Sequence, residues 1–378
     1  MTIDFRSNRK KICMLSSAHF ARDRRIFYRE ALSLVKSGFE VTIIAQNDKN
    51  ELAEGVKIIA LPKPKNRLIR MTVTTTRIFL LALKQDSCIY HFHDPELILV
   101  GVIIKLLTGR KVVYDIHEDF PKAIFTKEWI NPFLRGLIPS IFNFIEKRIS
   151  LSFDYIIAAT PNIAVQFKHP NVVIIANYPV LDFFPYIEAK RETVKSMKVI
   201  FCGTVVQNYG LREILKSLKF IPEEYNIQLR IVGKFYSRRF EREIKNIQGW
   251  EKVEFIGLIP HDRVSNYMIG FDCGLALYCP EPNSINAMPN KIFEYMAAGL
   301  PVIASNFPLW KKIIEGNECG ICIDPLNPRE IAKGIVYLAD NPFKTKEMGV
   351  NARRIILEKF NWGRESEKLI RIYDLLTK

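Results

Sequence analysis

The chain has 378 residues, enough for two domains at the usual domain size. It is 48% hydrophobic and 25% charged, which excludes wholesale disorder. Lys and Arg number 55 against 40 Asp and Glu, a net charge of +15, so an anionic partner is expected: nucleic acid, a membrane surface or a phosphorylated substrate. Seven cysteines, an odd number, sit mostly in apolar runs such as Ile12-Cys13-Met14, and fit free thiols in a reducing compartment. Cys319-Gly-Ile-Cys322 has CxxC spacing but no second CxxC to complete a zinc site. The N-terminus shows no secretory signal, and the longest apolar segments, Leu97–Leu107 and Phe133–Ile145, fall short of the roughly 20 residues of a spanning helix.

In chain order, short β-branched runs alternate with helical patterns. Strands are expected at Lys10–Ser16, Glu40–Ala45, Lys57–Ala60, Cys88–Phe92, Lys111–Asp115, Tyr155–Ala159 and Val172–Ala176. Helices are expected at Asp23–Ser37, Leu68–Lys84, Glu96–Leu107 and Asn131–Ser150. Val180–Lys198 breaks the rhythm with Pro185 and a charged run, and reads as a linker. The alternation then resumes. Strands fall at Lys198–Cys202, Gln228–Val232, Val253–Ile256, Cys273–Leu277 and Pro301–Ala304. Helices fall at Gly210–Leu218, Arg238–Gln248, Arg263–Ile269, Lys291–Ala298, Pro328–Asp340 and Lys344–Lys359. The pattern is α/β, two Rossmann-like doubly wound parallel sheets expected to face each other across a cleft. The expected division is 1–182, 183–360, and a C-terminal helix, 361–378, returning to the first domain.

Asn283–Ser305 carries the strongest chemical signal. Pro289 is a helix-start residue, and Gly299 caps the helix end. Lys291 and Glu294, three apart, share a helix face. A lysine in the first turn opposes the helix dipole unless an anion also sits there, where backbone N–H groups and the ammonium can hold a phosphate together. Glu294 can accept hydrogen bonds from two ribose hydroxyls. A plain i,i+3 ion pair on a solvated face is the competing explanation.

The run Pro289-Asn-Lys-Ile-Phe-Glu-Tyr-Met-Ala-Ala-Gly-Leu-Pro-Val-Ile-Ala304 resembles the signature of the family 4 glycosyltransferases, retaining enzymes of the two-Rossmann GT-B fold. The resemblance continues, collinear, at Asp23-Arg-Arg-Ile-Phe, His93-Asp-Pro-Glu-Leu97, Tyr114-Asp-Ile-His-Glu118, Phe201-Cys-Gly203, Ile231-Val-Gly233 and Phe255-Ile-Gly257. It implies that Glu294 binds the donor ribose and Lys291 the diphosphate, with Pro289 and Asn290 beside them. Two positions depart from the pattern. The first acidic residue of the signature is replaced by Asn286. The loop after Gly203 carries Thr204 and Tyr209 where an Arg and a Lys are usual, leaving Arg212 or Lys234 to compensate.

In the first half, His91, His93 and His117 follow two strands, with Asp94, Asp115 and Glu118 nearby. Such clustering invites metal ligation. His91 and His93 share a side only while the strand persists, and enzymes of the resembled kind need no bound metal, so no metal or other cofactor is expected. The resemblance implies that His117 contacts the donor sugar near the reacting carbon. Asp94 and Glu118 are acceptor-side candidates, with Ser17, His19 and Asp23 after the first strand. A GxGxxG fingerprint is absent there, which counts against a nicotinamide enzyme.

Basic residues flank apolar faces at Leu68–Lys84 and Ile124–Arg148, a composition suited either to an anionic lipid surface or to ordinary packing on the sheet. No zinc-finger or RNP-like motif supports nucleic acid. The expected protein is a cytoplasmic, peripherally membrane-associated hexosyltransferase. It would transfer a sugar from a nucleotide diphosphate, with UDP favoured, to a glycan or lipid-linked acceptor in cell-envelope polysaccharide synthesis. The alternative is a non-catalytic scaffold that kept the fold and lost the phosphate clamp.

Overall fold

The computed structural model describes residues 10–117, 137–186 and 195–378. Two compact units emerge: one built from the chain up to Asn177 together with Arg364–Lys378, the other from Tyr178–Gly363.

The first unit holds an eight-stranded sheet. Its strands are β1 (Lys11–Phe20), β2 (Glu40–Gln46), β3 (Glu51–Ala53), β4 (Val56–Leu61), β5 (Ile89–Phe92), β6 (Lys111–Ile116), β7 (Tyr155–Ala158) and β8 (Val172–Ile174). They lie in the order β3-β4-β2-β1-β5-β6-β7-β8, parallel throughout except for the β3–β4 hairpin. The central strands read as continuous apolar runs because both faces are covered. Ile12 to Leu15 and Val112 to Tyr114 are fully buried. β1 keeps register with β2 only as far as Leu15, then shifts. That irregularity releases Ser16 and Ser17 from the ladder at the carboxyl end of the sheet, where open α/β sheets bind ligands.

The second unit holds a six-stranded parallel sheet of β9 (Ser196–Cys202), β10 (Asn226–Val232), β11 (Val253–Gly257), β12 (Cys273–Ala276), β13 (Val302–Ser305) and β14 (Gly320–Ile323). The order is β11-β10-β9-β12-β13-β14, so the connection reverses direction between β9 and β12. One apolar layer, around Trp310 and Tyr295, covers one face. Another, around Phe201, Leu215 and Phe240, covers the other.

Several elements differ from the expectation. β3 and β14 are strands that the β-branched pattern did not mark: β3 has three residues, and β14 carries the CxxC run. The helix expected at Asp23–Ser37 is a π-helical stretch, Ile26–Ala31, continued by an α-helix, Leu32–Lys36. Arg263–Ile269 is a 3₁₀ segment spanning His261–Tyr267. The first part of the helix expected at Asn131–Ser150 and most of the charged linker run lie outside the described residues. All seven cysteines are free.

Candidate active site

In the second unit the helix Asn290–Ala297 starts directly after Pro289, whose backbone is extended. Lys291 and Glu294 do share a face, and that face is inside: 6% and 3% exposed. The solvated ion-pair explanation therefore fails. The Lys291 Nζ has no hydrogen-bond partner among the described residues. It lies 3.9 Å from the ring centre of Phe201, 5.1 Å from Tyr209 and 5.2 Å from Tyr278. These rings come from the end of β9, the loop beyond it and the end of β12, and two of them, Tyr209 and Tyr278, lie 4.2 Å apart. Cation–π attraction offsets part of the cost of burying the ammonium. Burial still lowers the Lys291 pKa to about 7. A cation in this position favours an incoming anion that restores its charge.

The loops around Lys291 are set by close backbone approach. Gly203 adopts a φ of +117°, a conformation that favours glycine, and its Cα face lies against the Lys291 side chain, where a Cβ would be 3.5 Å from Cε. A Cβ on Gly233 would lie 1.8 Å from the Gly203 carbonyl oxygen, a distance no side chain tolerates. Gly203 N–H donates to Val232 O at 2.8 Å, and Val205 N–H to Lys234 O at 2.9 Å, zipping the two loops together. Cys202 N–H donates to Tyr295 Oη at 2.7 Å, which ties β9 to the signature helix.

Thr204 and Lys234 are exposed on these loops, and Asn286 is exposed at the end of the short helix Pro282–Ile285. Pro289 and Asn290 are half-buried beside Lys291. Arg212 is committed elsewhere: its Nε donates to Glu243 at 2.7 Å, and its guanidinium lies over Phe240. Tyr209 stands where the resembled family carries a cation and supplies instead a wall of the lysine cage. The roles of Phe201 and Tyr278 were not read from the sequence. In the sequence Phe201 stands within the Phe201-Cys-Gly203 run, and nothing local distinguishes Tyr278.

In the first unit Ser17, His19, Asp23 and Asp94 converge at the end of β1. Asp94 Oδ2 accepts from Ser16 Oγ at 2.8 Å and from the backbone N–H of Ser17 and Ala18 at 2.7 and 3.1 Å. His19 lies 3.5 Å from Asp94 and 3.6 Å from Asp23. Asp23 Oδ1 accepts from the N–H of Arg25 at 2.7 Å. Burial opposes ionisation of Asp23, but bonds from His19 and the backbone outweigh it and hold the carboxyl well below the usual range. Glu118 lies outside the described residues.

Behind this rim sits a fully buried polar cluster. Arg25 grips Asp115 with two parallel bonds, Nε to Oδ2 at 2.7 Å and Nη2 to Oδ1 at 2.9 Å. Its Nη1 donates to Ile175 O and Asn177 Oδ1, both at 2.8 Å. His117 Nε2 lies 3.1 Å from Asp115 Oδ2 and 3.1 Å from His93 Nδ1, so the inner edge of its ring is fixed. His91 and His93 do share a side, with ring centres 4.3 Å apart. Burial pushes both imidazoles toward the neutral form. Burial, then the Asp115 charge, raises the Glu30 carboxyl well above the ordinary value. Burial alone would raise Asp115 as well, but the Arg25 guanidinium overrides it and holds Asp115 well below. Glu30 went unmarked in the sequence. The signal was there: Ile26, Phe27, Glu30, Ala31 and Leu34 form one buried stripe, and Glu30 is its acidic member. Among the described residues, Glu30, His91, His93 and Asp115 each bring a metal-donor atom within 4.8 Å of the others.

Two doubly wound units and a buried lysine at the start of the signature helix define a glycosyltransferase of the GT-B type. Residues 24–177 match the Glycosyltransferase Family 4 domain, and residues 183–355 match Glycosyl transferases group 1. The chain belongs to the family 4 glycosyltransferases. An uncharacterized glycosyltransferase of Methanocaldococcus jannaschii is 23% identical over 76% of this chain and 75% of its own length. Among solved structures, the sucrose-phosphate synthase of Thermosynechococcus elongatus superposes with a TM-score of 0.76 at 18% identity, covering 97% of this chain and 99% of its own. HepE of Anabaena, in complex with UDP and glucose, gives 0.72 at 14% identity, covering 97% of this chain and 99% of its own.

Proposed function

We propose that the chain is a retaining hexosyltransferase that takes a sugar from a nucleotide diphosphate, preferentially a UDP-sugar, to a glycan or lipid-linked acceptor in cell-envelope polysaccharide assembly. The observation that carries the reading is the buried Lys291 ammonium, which has three aromatic walls and no hydrogen-bond partner among the described residues. Charge grows on the leaving diphosphate as the glycosidic bond breaks, and a preorganised cation beside helix N–H groups stabilises it. Glu294 holds the ribose. Gly203, Thr204, Lys234, Pro289 and Asn290 line the approach, and Asn286 offers a neutral contact to a sugar hydroxyl. His117, its inner ring edge fixed by Asp115, is assigned the contact to the transferred sugar. Ser17, His19, Asp23 and Asp94 are assigned to the acceptor. No carboxylate pair among the described residues is assigned to double displacement, so attack on the face from which the diphosphate departs is the favoured route. The UDP and glucose bound to HepE support the choice of donor.

A peripheral membrane site fits the surface of the first unit. No helix among the described residues is long and apolar enough to cross a membrane. Leu68, Met71, Leu80, Leu99, Ile103, Leu106 and Phe144 are exposed on helical segments, with Arg77, Lys147 and Arg148 on the same segments. Such a surface suits the cytoplasmic face of an anionic bilayer.

The test is turnover of a panel of UDP-, GDP- and ADP-sugars by wild type, Lys291→Ala and Glu294→Ala. Full activity in both variants overturns the site. Thr204, Tyr209 and the committed Arg212 favour a second reading, a scaffold without catalysis. Calorimetry showing no UDP or GDP binding at millimolar concentration selects that one.

A further inference from the structure

The buried cluster of the first unit holds polar atoms that the described residues leave unsatisfied. Glu30 Oε2, His91 Nε2 and His93 Nε2 are buried and have no hydrogen-bond partner among the described residues, while Glu30 Oε1 is ion-paired with Arg25 Nε at 2.8 Å. All three side chains are at most 1% exposed. Buried polar groups of this kind call for an ion or a water. The geometry favours the ion. Glu30 Oε2 lies 4.0 Å from His91 Nε2 and 3.9 Å from His93 Nε2, and His91 Nε2 lies 3.7 Å from Asp115 Oδ2. Donors around a tetrahedral metal with bonds of about 2.1 Å sit about 3.4 Å apart. These three contacts need contract by only about half an ångström, and all four groups already bring a donor atom within 4.8 Å of the others.

The other ring nitrogens support the same assignment. His91 Nδ1 pairs with Tyr373 Oη at 2.6 Å. His93 Nδ1 pairs with His117 Nε2 at 3.1 Å. Metal-bound histidines characteristically spend their second nitrogen on such a partner, leaving the Nε2 lone pair for the metal. A proton shared between Glu30 and Asp115 would relieve the two carboxylates yet leave both Nε2 atoms unpaired. Charge points the same way. The Arg25 guanidinium is the one fixed cation against both Glu30 and Asp115, two buried carboxylates, and a divalent cation between them would favour the ionised form of both.

We propose that Glu30, His91 and His93, with Asp115 as the fourth and shared ligand, form a structural site for one late first-row divalent cation of the Zn²⁺ class. Two imidazoles and two carboxylates suit Zn²⁺ and disfavour Mg²⁺ or Ca²⁺. The ion pins the π-helical stretch Ile26–Ala31 to β5 and β6, directly beneath His117. It also reaches the C-terminal helix Trp362–Leu376 through Tyr373. The site is independent of the donor lysine and stands whether or not the protein is catalytic.

The experiment uses the full chain, purified without chelator or polyhistidine tag, equilibrated with Zn²⁺ and desalted. One Zn²⁺ per chain is expected by elemental analysis. Co²⁺ in its place should give the visible absorption of a tetrahedral site, and metal removal should lower the melting temperature. Glu30→Gln keeps the shape and removes the charge, and should abolish both the retained metal and the Co²⁺ absorption. Tyr373→Phe, which touches no metal, should weaken the affinity about 10- to 100-fold and keeps the test informative if Glu30→Gln misfolds. Less than about a tenth of an equivalent in wild type overturns the proposal, as does full retention of the metal in both variants.

Discussion

Lys291 makes a quantitative demand on nucleotide binding. Its pKa falls from 10.5 to about 7 on burial, which at about 1.4 kcal/mol per tenfold disfavours the charged form by up to about 5 kcal/mol. A diphosphate seated against the ammonium restores the charge, so binding above pH 7 takes up a proton. If the bound lysine regains its ordinary pKa, affinity for UDP should fall about 50-fold from pH 7 to pH 9, with about 0.9 proton taken up at pH 8. The nucleotide's own phosphate, ionising near pH 6, stays ionised across that window. Lys291→Met, an unbranched side chain without the charge, should bind weakly and without pH dependence there. Titration calorimetry in buffers of different ionisation enthalpy reads both quantities. An affinity constant to within about threefold between pH 7 and 9, without proton uptake, refutes the reasoning. The same shift bears on folding. The unfolded chain holds this proton up to about pH 10.4 and the folded chain only to about pH 7, so between those values stability rises with pH. Below pH 7 the whole destabilisation is present. Lys291→Met should therefore raise the melting temperature, and more so at pH 6 than at pH 10.

Two further outcomes follow from the buried contacts. Gly233→Ala forces a methyl to within 1.8 Å of the Gly203 carbonyl, at a φ of +156°, and should destabilise the second unit by about 3 kcal/mol or more, read as a lower denaturant midpoint and loss of UDP binding. Arg25→Met leaves Glu30 and Asp115 buried without their counter-charge and should cost about 3–5 kcal/mol in the first unit, measured by hydrogen exchange at β5 and β6. An Arg25→Met protein as stable as wild type would show that the cluster is held by something other than this ion pair.

Much of the architecture was legible because parallel strands buried on both faces leave a simple mark, short β-branched runs between helical patterns. Strands too short to make that mark were missed, as with β3. In β14 the Gly-Ile-Cys run concealed a strand as a CxxC motif. The signature helix was legible with its two polar residues, since a spacing of three places Lys291 and Glu294 on one face. Their burial was not, because it depends on what packs over that face. The aromatic cage lay beyond reach for the same reason: Phe201, Tyr209 and Tyr278 are unremarkable apolar or aromatic positions until the ends of β9 and β12 and the loop after β9 bring them around one nitrogen. The compensating role given to Arg212 shows the reverse. It falls on the expected helix, as the second residue of Leu211–Ser217, but Glu243, 31 residues away, holds its charge.

The sequence by itself determined the periodicities: two sets of alternating elements, and a lysine and a glutamate on one helical face. These are local properties, written within a few residues of chain. Only the tertiary structure decided which charges are satisfied. Arg25 meets Asp115 across 90 positions, and Tyr373 meets His91 across 282. Whether a buried group has a partner depends on such pairings, and no window along the chain contains both members. Lys291, with no such partner among the described residues, and Glu30, unmarked in the sequence, carry the two proposals about what this protein binds.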